Sequence, residues 1–234
     1  DVAVTTDKLY ANQERAEGSM ESDPLGGHDP HSASKAACEL LIVSYRKAYF
    51  IDKDSALLAS ARAGNVIGGG DWADDRLIPD LVKSVKESEC LVIRSPQATR
   101  PWQHVLDCLA GYLLLGQRLH ERRREFAEAW NFGPQPEANR TVAEILNSLQ
   151  AHWPDLKWER TDESQPHEAT LLYLNNEKAR NKLDWRPAWS LDQALHATAD
   201  WYRNFYERGV TSTGEDLAKY VSDATSLGAS WVQE

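Results

Sequence analysis

The apolar positions of this chain fall into short runs separated by polar turns, and their spacing switches repeatedly between strand-like and helix-like periods. The opening Asp-Val-Ala-Val-Thr-Thr-Asp reads as a strand that ends in polar groups. A helix is predicted over Ser34–Ala48, with Leu40, Leu41 and Val43 as its inward contacts. Ser55–Ala61 reads as a buried strand, Leu77–Lys86 as a helix, Leu91–Ile93 as a strand, Val105–Leu119 as a helix and Trp130–Phe132 as a strand. Thr141 has the character of an N-cap, with Glu144 three residues later completing a capping box. Helices are expected again over Asn176–Leu183 and Leu191–Tyr206, and the Ser-, Thr-, Gly- and Asp-rich C-terminal stretch is expected to wrap the surface. This alternation predicts an α/β architecture with a largely parallel sheet.

Composition narrows the function. A chain of 234 residues can bury a real core. A net charge of −10 argues against nucleic acid or an anionic membrane as the main partner, since both need a basic face. Arg122-Arg123-Arg124 is flanked by Glu121 and Glu125 and reads as a solvated helix end. Cys38, Cys90 and Cys108 are odd in number and widely spaced, which predicts free thiols in a reducing compartment. With no long apolar run and no signal-peptide pattern, a cytoplasmic protein is expected.

The chemistry gathers in four patches. Thr5-Thr6-Asp7-Lys8 closes a strand, and in open α/β sheets ligands sit at the carboxyl ends of strands. A hydroxyl, a carboxylate and an ammonium there suit proton transfer, although a capped polar strand end reads the same way. His31-Ser32-Ala33-Ser34-Lys35 follows a Gly- and Asp-rich loop, and positions 31 and 35 share one helix face. A Ser/Asp cap with an exposed Lys is its plain structural reading. Arg94 to His104 carries Arg94, Arg100 and Trp102, which suit a phosphate beside a sugar or base. Ser164 to Ala169 contains His167-Glu168, the start of a zinc HExxH motif, but position 171 is Leu and no metal is expected. Gly64 to Gly70 follows a strand without the GxGxxG spacing or the Lys-Ser/Thr of a P-loop, so no cofactor phosphate loop is evident.

In this order and spacing, the patches resemble the extended short-chain dehydrogenase/reductase family, and within it the branch that dehydrates CDP-glucose. The resemblance is carried by Thr6-Asp7-Lys8-Leu9-Tyr10, Asp23–Lys35, Ala61–Trp72, Arg76–Asp80, Arg100–Leu106, Trp130–Pro134 and Gln165–Ala169. Relatives acting on dTDP-glucose look like Thr-Asp-Glu where this chain has Thr6-Asp7-Lys8. The resemblance implies a partial Rossmann-like parallel sheet plus a smaller C-terminal α/β substrate-binding region. Residues 1–63 would be the remaining Rossmann part with the catalytic residues, and 64–234 mainly the nucleotide-sugar-binding region with interleaved Rossmann elements.

It also implies NAD as cofactor and CDP-glucose as substrate, oxidised at C4, dehydrated across C5 and C6, and reduced at C6. Thr6 would bond the sugar O4, Asp7 and Lys8 would handle the elimination protons, and Lys35 would hold the nicotinamide ribose. Asn65, Arg76 and Arg100 would bind the sugar nucleotide and its pyrophosphate, with His167 and Glu168 near the nucleoside. Two departures stand out. His31 occupies the Tyr of the Tyr-x-x-x-Lys motif, beside the cofactor. The family also places roughly 130 residues, with the Gly-rich turn, before the point where this sequence starts. Either the gene is split or truncated, or this sequence is part of a longer chain, and a homodimer or a complementing N-terminal half is expected as partner. A non-catalytic nucleotide-sugar-binding protein is the alternative, and an epimerase a further one, which the Asp7-Lys8 pair argues against.

Overall fold

The computed structural model describes residues 1–11, 17–27, 29–161 and 173–232. In chain order its strands are β1 (Val2–Val4), β2 (Ala59–Ala63), β3 (Asn65–Ile67), β4 (Leu91–Ile93), β5 (Thr99–His104), β6 (Ala129–Phe132), β7 (Asn139–Thr141) and β8 (Trp158–Arg160). The helices are α1 (Pro30–Ala48), α2 (Leu77–Glu87), α3 (Val105–His120), α4 (Val142–His152), α5 (Glu177–Lys182), α6 (Leu191–Arg208) and α7 (Thr213–Ser226).

One sheet has the order β1-β2-β6 and is parallel throughout, with Val2 opposite Ala59 and Ala61 opposite Trp130. Its middle strand, Ala-Ser-Ala-Arg-Ala, is buried along its whole length, as a parallel strand covered on both faces must be. Small side chains let α1 and α3 approach it closely. Leu114, Leu115 and Leu119 of α3 pack there with Phe126, Trp130, Phe132 and Trp185. A second sheet, β3-β5-β7, is parallel at β3-β5 and antiparallel at β5-β7, and a third pairs β4 with β8 in parallel. Helices α2, α4 and α6 supply the second core through Leu81, Ile145, Leu149, Leu195 and Tyr202, around Trp102 of β5. The fold is thus α/β and mainly parallel, as the alternation of patterns implies.

Several elements differ from expectation for identifiable reasons. The strand expected over Ser55–Ala61 is Ala59–Ala63, because β1 supplies ladder partners only from Ala59 onward. Helix α1 starts at Pro30, four residues before the predicted Ser34. Asp29 is its N-cap, accepting the Ser32 amide at 3.0 Å, and Pro30 occupies the first turn. Leu40 and Leu41 face outward, 63% and 59% exposed, whereas Ser32, Ala36 and Glu39 face inward. A close approach to β2 selects small side chains, and a buried charge on β2 draws Glu39 in. Residues 99–104, within the Arg94–His104 patch that no strand was expected to include, form β5, held by β3 and β7. The C-terminal stretch is not a surface wrap but helix α7, docked by Tyr220 and Ala224, which lie one turn apart. Tyr220 donates to Asp107 at 2.9 Å and stacks on Trp231, so two residues in an otherwise polar segment fix it. The Thr141–Glu144 capping box forms as predicted.

The turn after β3 is shaped from a distance. A Cβ on Gly69 would lie 2.0 Å from the Trp201 indole, so only glycine admits α6 at this spacing. Trp72 then packs against Trp201, Tyr202, Phe205 and Tyr206 of the same helix. Among the described residues no helix is long and apolar enough to cross a membrane, and Cys38, Cys90 and Cys108 are free.

Candidate active site

At the carboxyl end of β1 the chain turns through a short helical segment, Asp7–Leu9, with Thr6 as its N-cap. The Thr6 hydroxyl accepts the Lys8 amide at 3.4 Å and donates to the Asp7 Oδ1 at 3.1 Å. Asp7 is 2% exposed, and its other oxygen, Oδ2, has no hydrogen-bond partner among the described residues. Burial pushes the Asp7 carboxyl up from the ordinary 3.8 to about 6, against the opposing pull of the Thr6 hydroxyl and the Lys8 charge. Such a group can give or take a proton near neutrality, which an exposed aspartate cannot. Lys8 is exposed.

Gly64, just past β2, closes the other side of this carboxyl. A Cβ there would meet Asp7 Oδ2 at 3.0 Å and the Pro101 ring at 2.7 Å. The contact brings Asp7, Gly64 with its neighbour Asn65, and the Arg100–Pro101 segment of β5 into one neighbourhood. Asn65 is half-buried at the start of β3, opposite Trp102. Arg100 is 9% exposed and donates to the Thr99 carbonyl at 2.9 Å. Arg76 stands apart, 64% exposed at the N-terminus of α2 and paired with Asp71 at 3.0 Å. His167 and Glu168 lie outside the described residues.

Helix α1 packs onto the Asp7–Leu9 turn, with Ala36 against Leu9 and Tyr10. His31 is exposed in its first turn, and Lys35, one turn on, is half-buried. The same segment is capped by Asp29, so its structural and chemical readings coexist. The Lys35 ammonium makes no hydrogen bond or ion pair among the described residues.

Beneath this surface lies a polar network that the sequence reading passed over. Glu39 is fully buried, and its carboxylate accepts four hydrogen bonds: from Thr5 Oγ1 at 2.7 Å, Ser60 Oγ at 2.8 Å, and Arg62 Nε and Nη2 at 2.9 Å each. Burial alone would raise the Glu39 pKa; the Arg62 hydrogen bonds and charge, with Thr5 and Ser60, overcome it and hold the carboxyl below its ordinary value. Arg62 Nη1 also donates to the Tyr10 hydroxyl at 2.7 Å, which in turn donates to Asn131 Oδ1 at 2.7 Å. A signal was available, since a buried Arg in a strand of alanines and serine requires an acid nearby.

The chain can now be set beside known proteins. A family model described as GDP-mannose 4,6 dehydratase matches residues 2–198. The chain is 40% identical over 231 residues to the CDP-glucose 4,6-dehydratase of Salmonella typhimurium, covering 96% of this chain and 64% of that protein. It is 26% identical to a low-salt glycan biosynthesis protein of Haloferax volcanii, covering 85% of this chain and 60% of the relative. Among solved structures, a dTDP-glucose 4,6-dehydratase from Streptomyces venezuelae with NAD bound superposes with a TM-score of 0.68 at 27% identity, over 89% of this chain and 60% of that one. A UDP-glucuronic acid 4-epimerase from Bacillus cereus reaches a TM-score of 0.74 at 21% identity, over 88% of this chain and 62% of that one, a likeness of fold alone. The chain therefore spans less than two thirds of the length of these relatives.

Proposed function

Because the chain belongs to the GDP-mannose 4,6 dehydratase family, we propose that it forms the catalytic and sugar-binding part of an NAD-dependent enzyme that converts CDP-glucose to CDP-4-keto-6-deoxyglucose. The observation that carries this reading is the buried Asp7 carboxyl, one oxygen unpartnered, on a strand-end turn against the helix that bears Lys35. Similarity to the Salmonella CDP-glucose enzyme supports the choice of nucleotide.

The residues present fit one end of NAD. Lys35, whose ammonium is uncommitted among the described residues, and position 31 on the same helix face would hold the nicotinamide ribose. Of the cluster after β2, Gly64, Gly68 and Gly69 are packed against Pro101, Val105 and Trp201, which leaves those three no room to cradle a pyrophosphate. When bound, the cofactor would accept the C4 hydride and later return it to C6. Thr6 would bond the sugar O4 and orient it, with position 31 taking the O4 proton. A ketone at C4 acidifies the C5 proton, so elimination needs a base for that proton and an acid for the departing C6 hydroxyl. Lys8 and Asp7 are adjacent there, and a carboxyl with a pKa of about 6 suits the acid role. Asn65, Arg76 and Arg100 would hold the sugar and diphosphate, and His167 and Glu168 the nucleoside.

The test is 4-keto sugar formation by this chain joined to a family member's N-terminal NAD-binding half. Product from CDP-glucose is expected above the level of an Asp7→Asn control; none would reject the dehydratase reading.

His31 favours a second reading, in which the protein binds nucleotide sugar without turning it over. We further propose residence in the cytoplasm, on the strength of the three free thiols, and division into 1–63 and 64–234 as catalytic and sugar-binding parts. A homodimer is proposed through the outer face of α1, where Leu41, Tyr45 and Tyr49 are 59%, 51% and 69% exposed. A complementing half would instead pair with the free side of β1, one of the two outer strands of its sheet among the described residues. Tyr45→Asp is expected to shift the sedimenting species from dimer to monomer; an unchanged sedimentation coefficient would remove α1 as the interface.

A further inference from the structure

The geometry points to Glu39 as a positioning residue that sets the helix face of the site against its strand end. This rests on the dehydratase reading for its functional meaning. His31, Lys35 and Glu39 recur every four residues, so they form one stripe along α1. Among the described residues, only Glu39 of the three has side-chain partners that anchor it. Its four hydrogen bonds reach the end of β1 through Thr5, the residue after the strand, and β2 through Ser60 and Arg62, which fixes both the rotation of α1 about its axis and its slide along the sheet. Thr5 immediately precedes Thr6.

The same pair grips the far side of the catalytic turn. Arg62 carries the Tyr10 hydroxyl at 2.7 Å, and Tyr10 immediately follows the Asp7–Leu9 segment. The turn that presents Asp7 and Lys8 is therefore suspended at both ends from one Glu–Arg pair, whose side chains are 0% and 3% exposed. Nothing else described ties Lys35 to Thr6, Asp7 and Lys8 through bonds as short and as shielded from water. Glu39 touches no reacting atom in this account. It acts by holding the two groups of side chains in register, and a displacement of about an ångström in such a register costs on the order of a hundredfold in rate.

Glu39→Gln keeps the shape and removes the charge. In the chain by itself, NMR with labelled lysine Nζ and backbone amides is expected to show the Lys35 signal and the Thr6, Asp7 and Lys8 amides shifted together. Amides of α7 are expected to stay in place. In the protein supplied with an NAD-binding half, kcat is expected to fall about 10- to 100-fold, with KM for CDP-glucose changed less than about threefold. Glu39→Asp should recover part of the loss, which a merely space-filling role would not produce. A folded Glu39→Gln with unmoved Lys35 and Thr6–Lys8 signals, or with a loss confined to KM, overturns the assignment. Should Glu39→Gln fail to fold, Thr5→Val deletes one of the four bonds and leaves Arg62 paired. It is expected to move the same signals by less, and an unchanged Lys35 signal there overturns the assignment equally. The NMR result reads placement without turnover, so a wild type that makes no 4-keto sugar would end the dehydratase reading while leaving this one decided on its own data.

Discussion

Asp7→Asn is expected to make the fold more stable and the completed enzyme far slower. Burial raises the Asp7 pKa from 3.8 to about 6. A folded-state pKa above the unfolded one means a stability contribution fully present below about 3.8 and lost as the pH rises through 6. Above pH 6 the native state therefore carries a desolvated carboxylate at a cost of about 2–3 kcal/mol. Asparagine carries no such charge. Its expected gain is a rise in Tm of roughly 5–10 °C at pH 7.5, shrinking towards zero at pH 4. The same change removes the proposed proton donor for the leaving hydroxyl and is expected to lower kcat by about 10²- to 10⁴-fold. Thermal melts across pH 4–8 beside a 4-keto sugar assay check both halves. A variant destabilised at pH 7.5 would show that Asp7 is held by favourable contacts after all, and unchanged turnover would remove it from the chemistry.

The second large effect is expected at position 31. His31→Tyr, in the chain joined to an NAD-binding half, should raise kcat by about a hundredfold. A phenol reaches further than an imidazole by about an ångström, and misplacement on that scale costs roughly this factor. The position is exposed in the first turn of α1, one turn from Lys35, so the larger ring fits without repacking a core. Single-turnover kinetics of nicotinamide reduction would read the gain directly. Equal and measurable rates for the two proteins would mean that the imidazole already serves, and would retire the view of this chain as a binder without turnover.

Much of the molecule could be read from sequence, and the failures share a cause. Where apolar spacing decides the outcome, as in α2, α3, α6 and β4, the predicted and observed spans agree closely. The Thr141–Glu144 cap was readable because its chemistry is local. Elements held by distant partners were not. Tyr220 fixes α7 through Asp107, more than a hundred residues earlier in the chain. Helix α1 turns its leucines outward because Arg62 on β2 draws Glu39 inward. Likewise the candidate site turn was visible in Thr6-Asp7-Lys8, whereas the Glu39–Arg62 pair beneath it was not. A rule that sends apolar residues inward gives a buried Glu no place until its partner is known.

The fit between Gly69 and the Trp201 indole bears on how the protein acquires its shape during synthesis. The ribosome releases Gly68–Trp72 long before α6, yet α6 is the template against which that loop is moulded. Until α6 emerges, the stretch Gly69–Trp72 lacks the indole and the aromatic face that set its path. This loop, which joins the proposed sugar-nucleotide residues Asn65 and Arg76, is accordingly among the last parts of the nascent chain to settle, and a stalled ribosome would display the α/β sheet with the loop unmoulded.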